Sequence, residues 1–350
     1  MERQEGKRTG RGYALRFAVL GAVLLAALVG SAVMGRYSLS LRELGLLLFR
    51  PRGLYEALGP SAAAAAEQVF FYIRLPRIGA AVLVGAALSL AGVTYQGMFR
   101  NPMVSPDILG ASTGAGFGAA VAILLGAGYF MISVSAFCCG LLAVLIAYLV
   151  SRASKTGSPT LSMILAGMVV SSLFSAGTSF IKLVADTQSQ LPSITYWLMG
   201  SLSSIKAEDL RFLYKPVILG MAPLFLLRWR MNLLTAGEDE AKAMGVNTTA
   251  LRLVIVVCAT LLTASSVAVS GMIGWVGLVI PHFCRMIFGY DYRRLIPASA
   301  LFGAAYLLIV DDIARLVTTG ELPLGILTAF AGAPLFLYLL LSGGGTHDRA

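Results

Sequence analysis

Residues 108 to 151 contain no charged side chain. A water-soluble fold has no use for so long an uncharged stretch, because each of its elements must offer polar residues to solvent. A lipid bilayer removes that demand. About 20 apolar residues in a helix cross its hydrocarbon core. The stretch is therefore too long for one crossing, and it is expected to turn at Gly126-Ala127-Gly128, where two glycines loosen the chain. Composition agrees. Of the 350 residues, 57% are hydrophobic and 13% are charged, against roughly 25% charged in soluble domains.

Apolar runs fall at about 14–34, 75–98, 108–127, 130–150, 159–181, 212–228, 250–270, 273–288, 296–317 and 323–342. They predict an all-α polytopic membrane protein of about ten transmembrane helices. One membrane domain, 14–342, lies between short tails at 1–13 and 343–350, and no segment is long enough for a second, soluble domain. Ten spans place both termini on one side. If that side is cytoplasmic, Arg3, Lys7, Arg8, Arg11 and Arg16 join eleven later basic residues there, 16 of the 27 in the chain, the expected bias. The net charge of +10 thus orients loops, and no nucleic-acid partner is expected. The exception is the first outer segment, 35–73, with Arg36, Arg42, Arg50, Arg52, Arg74 and Arg77. It is read as a docking patch for an acidic partner. Its amphipathic stretch 41–48 is expected at the membrane surface.

Little in the chain suggests covalent chemistry. There is no Gly-x-x-x-x-Gly-Lys-Ser/Thr loop to cradle a nucleotide. The cluster Gly110 to Gly116 is read as a helix-packing face. Four cysteines and two histidines show no metal-type spacing, so neither a metal site nor a catalytic residue is expected. Asp311 and Arg315, four apart near the end of the ninth span, are expected to share a face and pair. That pair is either structural or a means of presenting Arg315 at the outer mouth. Gly237, Glu238, Ala241, Met244, Gly245 and Val246 mark a short capped helix at 237–246 between the sixth and seventh spans. It is a polar loop or a lever for an external motor. Asn101, Pro102 and Met103 open a proline-stiffened inner loop, a rigid turn or a constriction. The stretch 271–297 reads as a short Gly-rich span broken at Pro281-His282, with both residues in structural or interface roles.

Several of these segments resemble, in order, the permease subunits of type II ABC importers of the FecCD type, which take up iron siderophores, haem and cobalamin. The matching residues are Arg74-Leu-Pro-Arg77, Gln96-Gly97 with Asn101-Pro102 and Pro106-Asp107, and Tyr196-Trp197-Leu-Met-Gly200. They continue with Gly237-Glu238 to Gly245-Val246, Gly274-Trp275-Val276-Gly277 to Pro281-His282, Asp311 with Arg315, and Glu321-Leu-Pro323. The resemblance implies a homodimer in a bacterial or archaeal cytoplasmic membrane. It also implies two cytoplasmic ATPase subunits, which bind ATP and Mg while this chain binds no cofactor, and an external substrate-binding protein. It further assigns Arg74, Arg77 and Arg315 to docking, 237–246 to ATPase coupling, and Asn101-Pro102 to an inner gate. Trp275, commonly Phe in the family, and Tyr292, commonly His, are departures that leave the cargo open: a metal chelate first, an oxyanion such as molybdate as the alternative. Two other classes compete. A stand-alone secondary transporter would place ionisable groups at mid-membrane, where this chain is nearly charge-free. A membrane enzyme would need a nucleophile beside His282 and Asp291, and none is placed there.

Overall fold

A computed structural model describes residues 2–35, 37–154, 159–317 and 320–343. Arg36, Lys155 and the tail beyond Gly343 lie outside the described residues. Every regular element described is helical. In order they are α1 (Glu2–Val33), α2 (Leu41–Phe49), α3 (Pro51–Leu58), α4 (Pro60–Gln68), a turn of π-helix (Val69–Arg74), α5 (Leu75–Phe99), α6 (Ala111–Leu124), α7 (Tyr129–Ala153) and α8 (Pro159–Val184). They continue with α9 (Gln190–Met199), α10 (Ala207–Ala236), α11 (Glu238–Ala243), α12 (Thr248–Ser270), α13 (Val276–Phe288), α14 (Tyr292–Val317) and α15 (Leu324–Gly343). Ten of them, α1, α5–α8, α10 and α12–α15, coincide with the ten apolar runs.

Burial separates the centre from the rim. Along Pro60–Phe99, 83% of the most apolar window is buried, and along α12 78%, whereas α8 and α10 bury 22% and α1 11%. A helix that is apolar all round and mostly exposed faces lipid, and one that is apolar and enclosed is core. On α5 every residue from Val84 to Phe99 is buried. Glycine makes that enclosure possible. A Cβ on Gly85 would overlap the Gly303 carbonyl of α14, and one on Gly92 the Gly277 carbonyl of α13, so three backbones meet where small residues let them. Gly114 and Gly118 likewise seat α6 on the Cys139 and Ser135 carbonyls of α7, the packing role expected of that cluster.

One expectation is corrected, at α13, and two further segments take helical form. The outer segment is largely helical. Ser40 and Glu43 close a capping box on α2, with Ser40 Oγ accepting from Glu43 N at 3.2 Å and Glu43 Oε2 accepting from Ser40 N at 2.7 Å. From Pro60 the chain then runs helically into α5 as one 40-residue rod. At the N-terminus α1 begins at Glu2, so the tail continues the helix of the first span. Finally, α13 is not broken at Pro281, which lies inside it. The break precedes it, between Gly271 (φ 66°) and Trp275 (φ 69°). Proline removes the hydrogen bond to the carbonyl four residues back, here that of Gly277, and the Gln96 Nε2 of α5 donates to that carbonyl at 3.3 Å. An interhelical bond makes good the loss, so the helix continues.

Candidate functional site

At one end of α5 three arginines tie helices together. Arg77 is 6% exposed. Its guanidinium grips Asp311 of α14 through Nε at 2.8 Å and Nη2 at 2.9 Å, and Glu321 through Nη1 at 3.0 Å. This is the planar fork geometry that arginine supplies and lysine does not. Arg74, on the π turn, donates to the carbonyls of Ala32 at 2.5 Å, Val33 at 3.1 Å and Tyr37. It thereby takes up the free carbonyls and the negative dipole end of α1. Arg315 donates to Ser31 Oγ at 3.0 Å and pairs with Asp312. The expected Asp311–Arg315 pair is therefore not formed. Asp311 faces α5 and takes the better-matched Arg77, while Arg315 turns to α1. The sequence reading missed Ser31 and the role of Glu321, because their partners lie 284 and 244 positions away, and it paired Arg315 with Asp311 where the neighbouring Asp312 takes it.

The other end of α5, about 38 Å away for 25 residues at 1.5 Å each, carries α11. Gly245 (φ 78°) ends this six-residue helix in the left-handed conformation. Val246 N donates to the Ala241 carbonyl at 3.0 Å and Gly245 N to that of Lys242 at 2.9 Å, the double closure of a Schellman cap. Ala241 is fully buried and Met244 is 53% exposed, so one face is anchored and the other is offered to solvent. Glu238 makes the anchor ionic. It accepts from Lys242 Nζ at 3.1 Å and from Arg252 Nη2 of α12 at 2.8 Å. The Lys242 hydrogen bond, helped by the Arg252 charge and opposed by burial, holds its carboxyl below the usual range. Arg252 lies 14 residues from Glu238, outside any helical spacing, and was not anticipated.

Between the two ends, the loop after α5 folds back into the bundle. Arg100 takes φ 52°, and Asn101, Pro102 and Met103 are exposed, while Val104 is buried and its carbonyl accepts from Gln96 Nε2 at 3.1 Å. Asp107 Oδ1 accepts from Ser112 N at 2.6 Å at the start of α6. A cavity of about 350 Å³ opens here, lined by Leu88, Asp107, Ser112, Thr263, Trp275 and Gly277 among others. Asp107 is its one ionisable lining side chain. Pro281 is buried and His282 half-buried one turn further along α13, away from the arginine cluster and from α11.

Residues 22–342 match the model of the FecCD transport family. The molybdate import system permease protein MolB of Haemophilus influenzae is 42% identical over 93% of this chain and 96% of its own. A probable iron chelatin transport system permease protein of Helicobacter pylori is 40% identical over 92% and 96%. The hemin transport system permease protein HmuU of Yersinia pestis is 37% identical over 93% and 95%. A solved structure described as an inward-facing conformation of a metal-chelate type ABC transporter shares 41% identity at a TM-score of 0.82, covering 92% of this chain and 97% of that one. The chain belongs to the FecCD transport family, as a multi-pass ABC transporter permease whose ATP is hydrolysed by separate subunits.

Proposed function

We propose that this chain is one of two identical membrane subunits of an importer for a metal chelate. Two ATPase chains drive it at the α11 end, and a binding protein delivers cargo at the Arg77 end. The observation that carries this reading is the mounting of α11. A solvent-facing helix is clamped by Glu238 to Arg252 on α12, and α12 runs from there, enclosed, to the central cavity at Thr263. A displacement of α11 therefore reaches the cavity wall through a rigid element. With no phosphate-binding loop in the chain, ATP and Mg belong to the partner that moves α11. Arg100, Arg228, Arg230, Lys242 and Arg252 gather toward the α11 end. That bias supports a cytoplasmic setting, in a bacterial or archaeal cell, for this end and for both termini. Docking through Arg74, Arg77 and Arg315 would proceed by exchange, with acidic side chains of the binding protein replacing Glu321 and Asp312.

For the cargo, a wall whose ionisable group is a carboxylate suits a neutral or cationic chelate better than an oxyanion. Molybdate remains the second reading because a relative of 42% identity is named for it. Uptake by proteoliposomes holding this chain, its ATPase subunits and its binding protein decides between them. ATP-dependent accumulation of a ferric chelate, haem or cobalamin is expected. Accumulation of molybdate alone overturns the chelate reading, and accumulation without ATPase subunits overturns the importer reading.

A further inference from the structure

The ends of α1, α10, α13 and α14 meet in a surface that transport leaves unexplained. Six arginines lie on it: Arg16, Arg228, Arg230, Arg285, Arg293 and Arg294. Among the described residues their partners are almost all neutral. Arg16 donates to the Ile287 carbonyl at the end of α13. Arg294 lies 3.8 Å over the Tyr13 ring. Arg228 donates at 3.3 Å to the Arg293 carbonyl, which Pro297 leaves free four residues on. Asp291 is the one carboxylate, 3.8 Å from Arg293, and Asn232 Nδ2 donates to it at 2.8 Å. Arg285 is 9% exposed and its Nη2 is buried without a partner. Among the described residues, six arginines against one carboxylate leave these helix ends strongly positive, and such a surface attracts an anion.

The surroundings identify the anion's carrier. On the same helices, Leu15, Val19, Leu226, Met286 and Ile287 are exposed apolar side chains, and Trp229 and Tyr290 are exposed aromatics. Apolar groups, then Trp and Tyr, then arginine is the order met on passing from acyl chains to headgroups. We infer that this surface binds the phosphodiester headgroup of an anionic phospholipid in the leaflet on the α11 side, with Arg16 and Arg294 facing the phosphate. The inference rests on membrane embedding and not on the transport reading.

Full-length protein in nanodiscs of phosphatidylcholine mixed with phosphatidylglycerol tests it, with lipid retained after release read by native mass spectrometry. Wild type is expected to keep phosphatidylglycerol in preference to phosphatidylcholine. Arg16→Gln and Arg294→Gln, both surface changes, should each lower that preference about fivefold. Arg211→Gln, exposed at the far end of α10, removes the same charge and should leave the preference intact. Equal retention in wild type and the Arg16 and Arg294 variants overturns the site, as does equal loss in the far-end control. Displacement of the lipid by inorganic phosphate at millimolar concentration would make it a free-anion site instead. Loss of ATPase association in the variants, with lipid preference unchanged, would assign the surface to that protein.

Discussion

Replacing Arg77 by Met separates what its guanidinium does for the fold from what it does for a partner. Methionine fits the aliphatic stem but leaves Asp311, with a side chain 1% exposed, as an uncompensated buried charge. Removing one member of a buried pair typically costs about 3–5 kcal/mol. Glu321 adds little, because at 23% side-chain exposure it reaches water once released. Arg77→Lys should fall between, since one ammonium cannot reproduce three directed bonds. Adding Asp311→Asn to Arg77→Met removes the stranded charge and should recover most of the loss, because replacing both members of a buried pair is often near neutral. Thermal unfolding in detergent, followed by fluorescence-detected size exclusion, reads all four proteins. A single Arg77→Met variant that melts with wild type would refute the buried-charge argument. Uptake by the stable double variant then addresses docking. If stability returns and uptake does not, the arginine itself is needed by the partner; if both return, Arg77 is structural only.

The ion pair under α11 makes further predictions. Arg252→Met should leave ATP hydrolysis by the assembled transporter within about twofold of wild type while cargo moved per ATP falls. Glu238→Arg with Arg252→Glu should restore part of that ratio, and failure of the swap to restore any would count against a direct link. The Glu238 carboxyl is held low in the folded chain, so its contribution is present above the ordinary carboxylate pKa and is lost as pH falls through the depressed value. Cargo moved per ATP should accordingly be flat across neutral pH and fail only in acid. Gln96→Leu removes the donor to the Gly277 carbonyl and should cost about 1–3 kcal/mol in thermal unfolding. Gly92→Leu forces α5 and α13 apart and should abolish recovery of folded protein, since the Cβ alone overlaps the Gly277 carbonyl.

Helices were legible in the sequence because lipid imposes one rule on every span, a sustained apolar run, and all ten runs became helices. The α11 helix was legible for a different reason: Gly245 and the acidic start of the helix are local signals, and capping is local physics. Polar partners were not legible in the same way. Asp311 with Arg315 looked right because a helix presents positions four apart on one face, but a face has width, and these two residues look toward different neighbours. The bidentate grip of Arg77, 234 positions away, outcompetes the local pair, and no periodicity encodes that distance. Proline shows how part of this information can be recovered. Pro281 was read as a break, yet its real consequence is a carbonyl left unpaired four residues earlier. Such a carbonyl is open to a donor on another helix. Gln96 meets the need at Gly277 and Arg228 meets it at Arg293. Pro281 and Pro297, each inside a spanning helix, therefore mark where a neighbour's polar side chain is used. These two carbonyls fall at the central cavity and at the arginine-rich end of α14, the places where function is proposed.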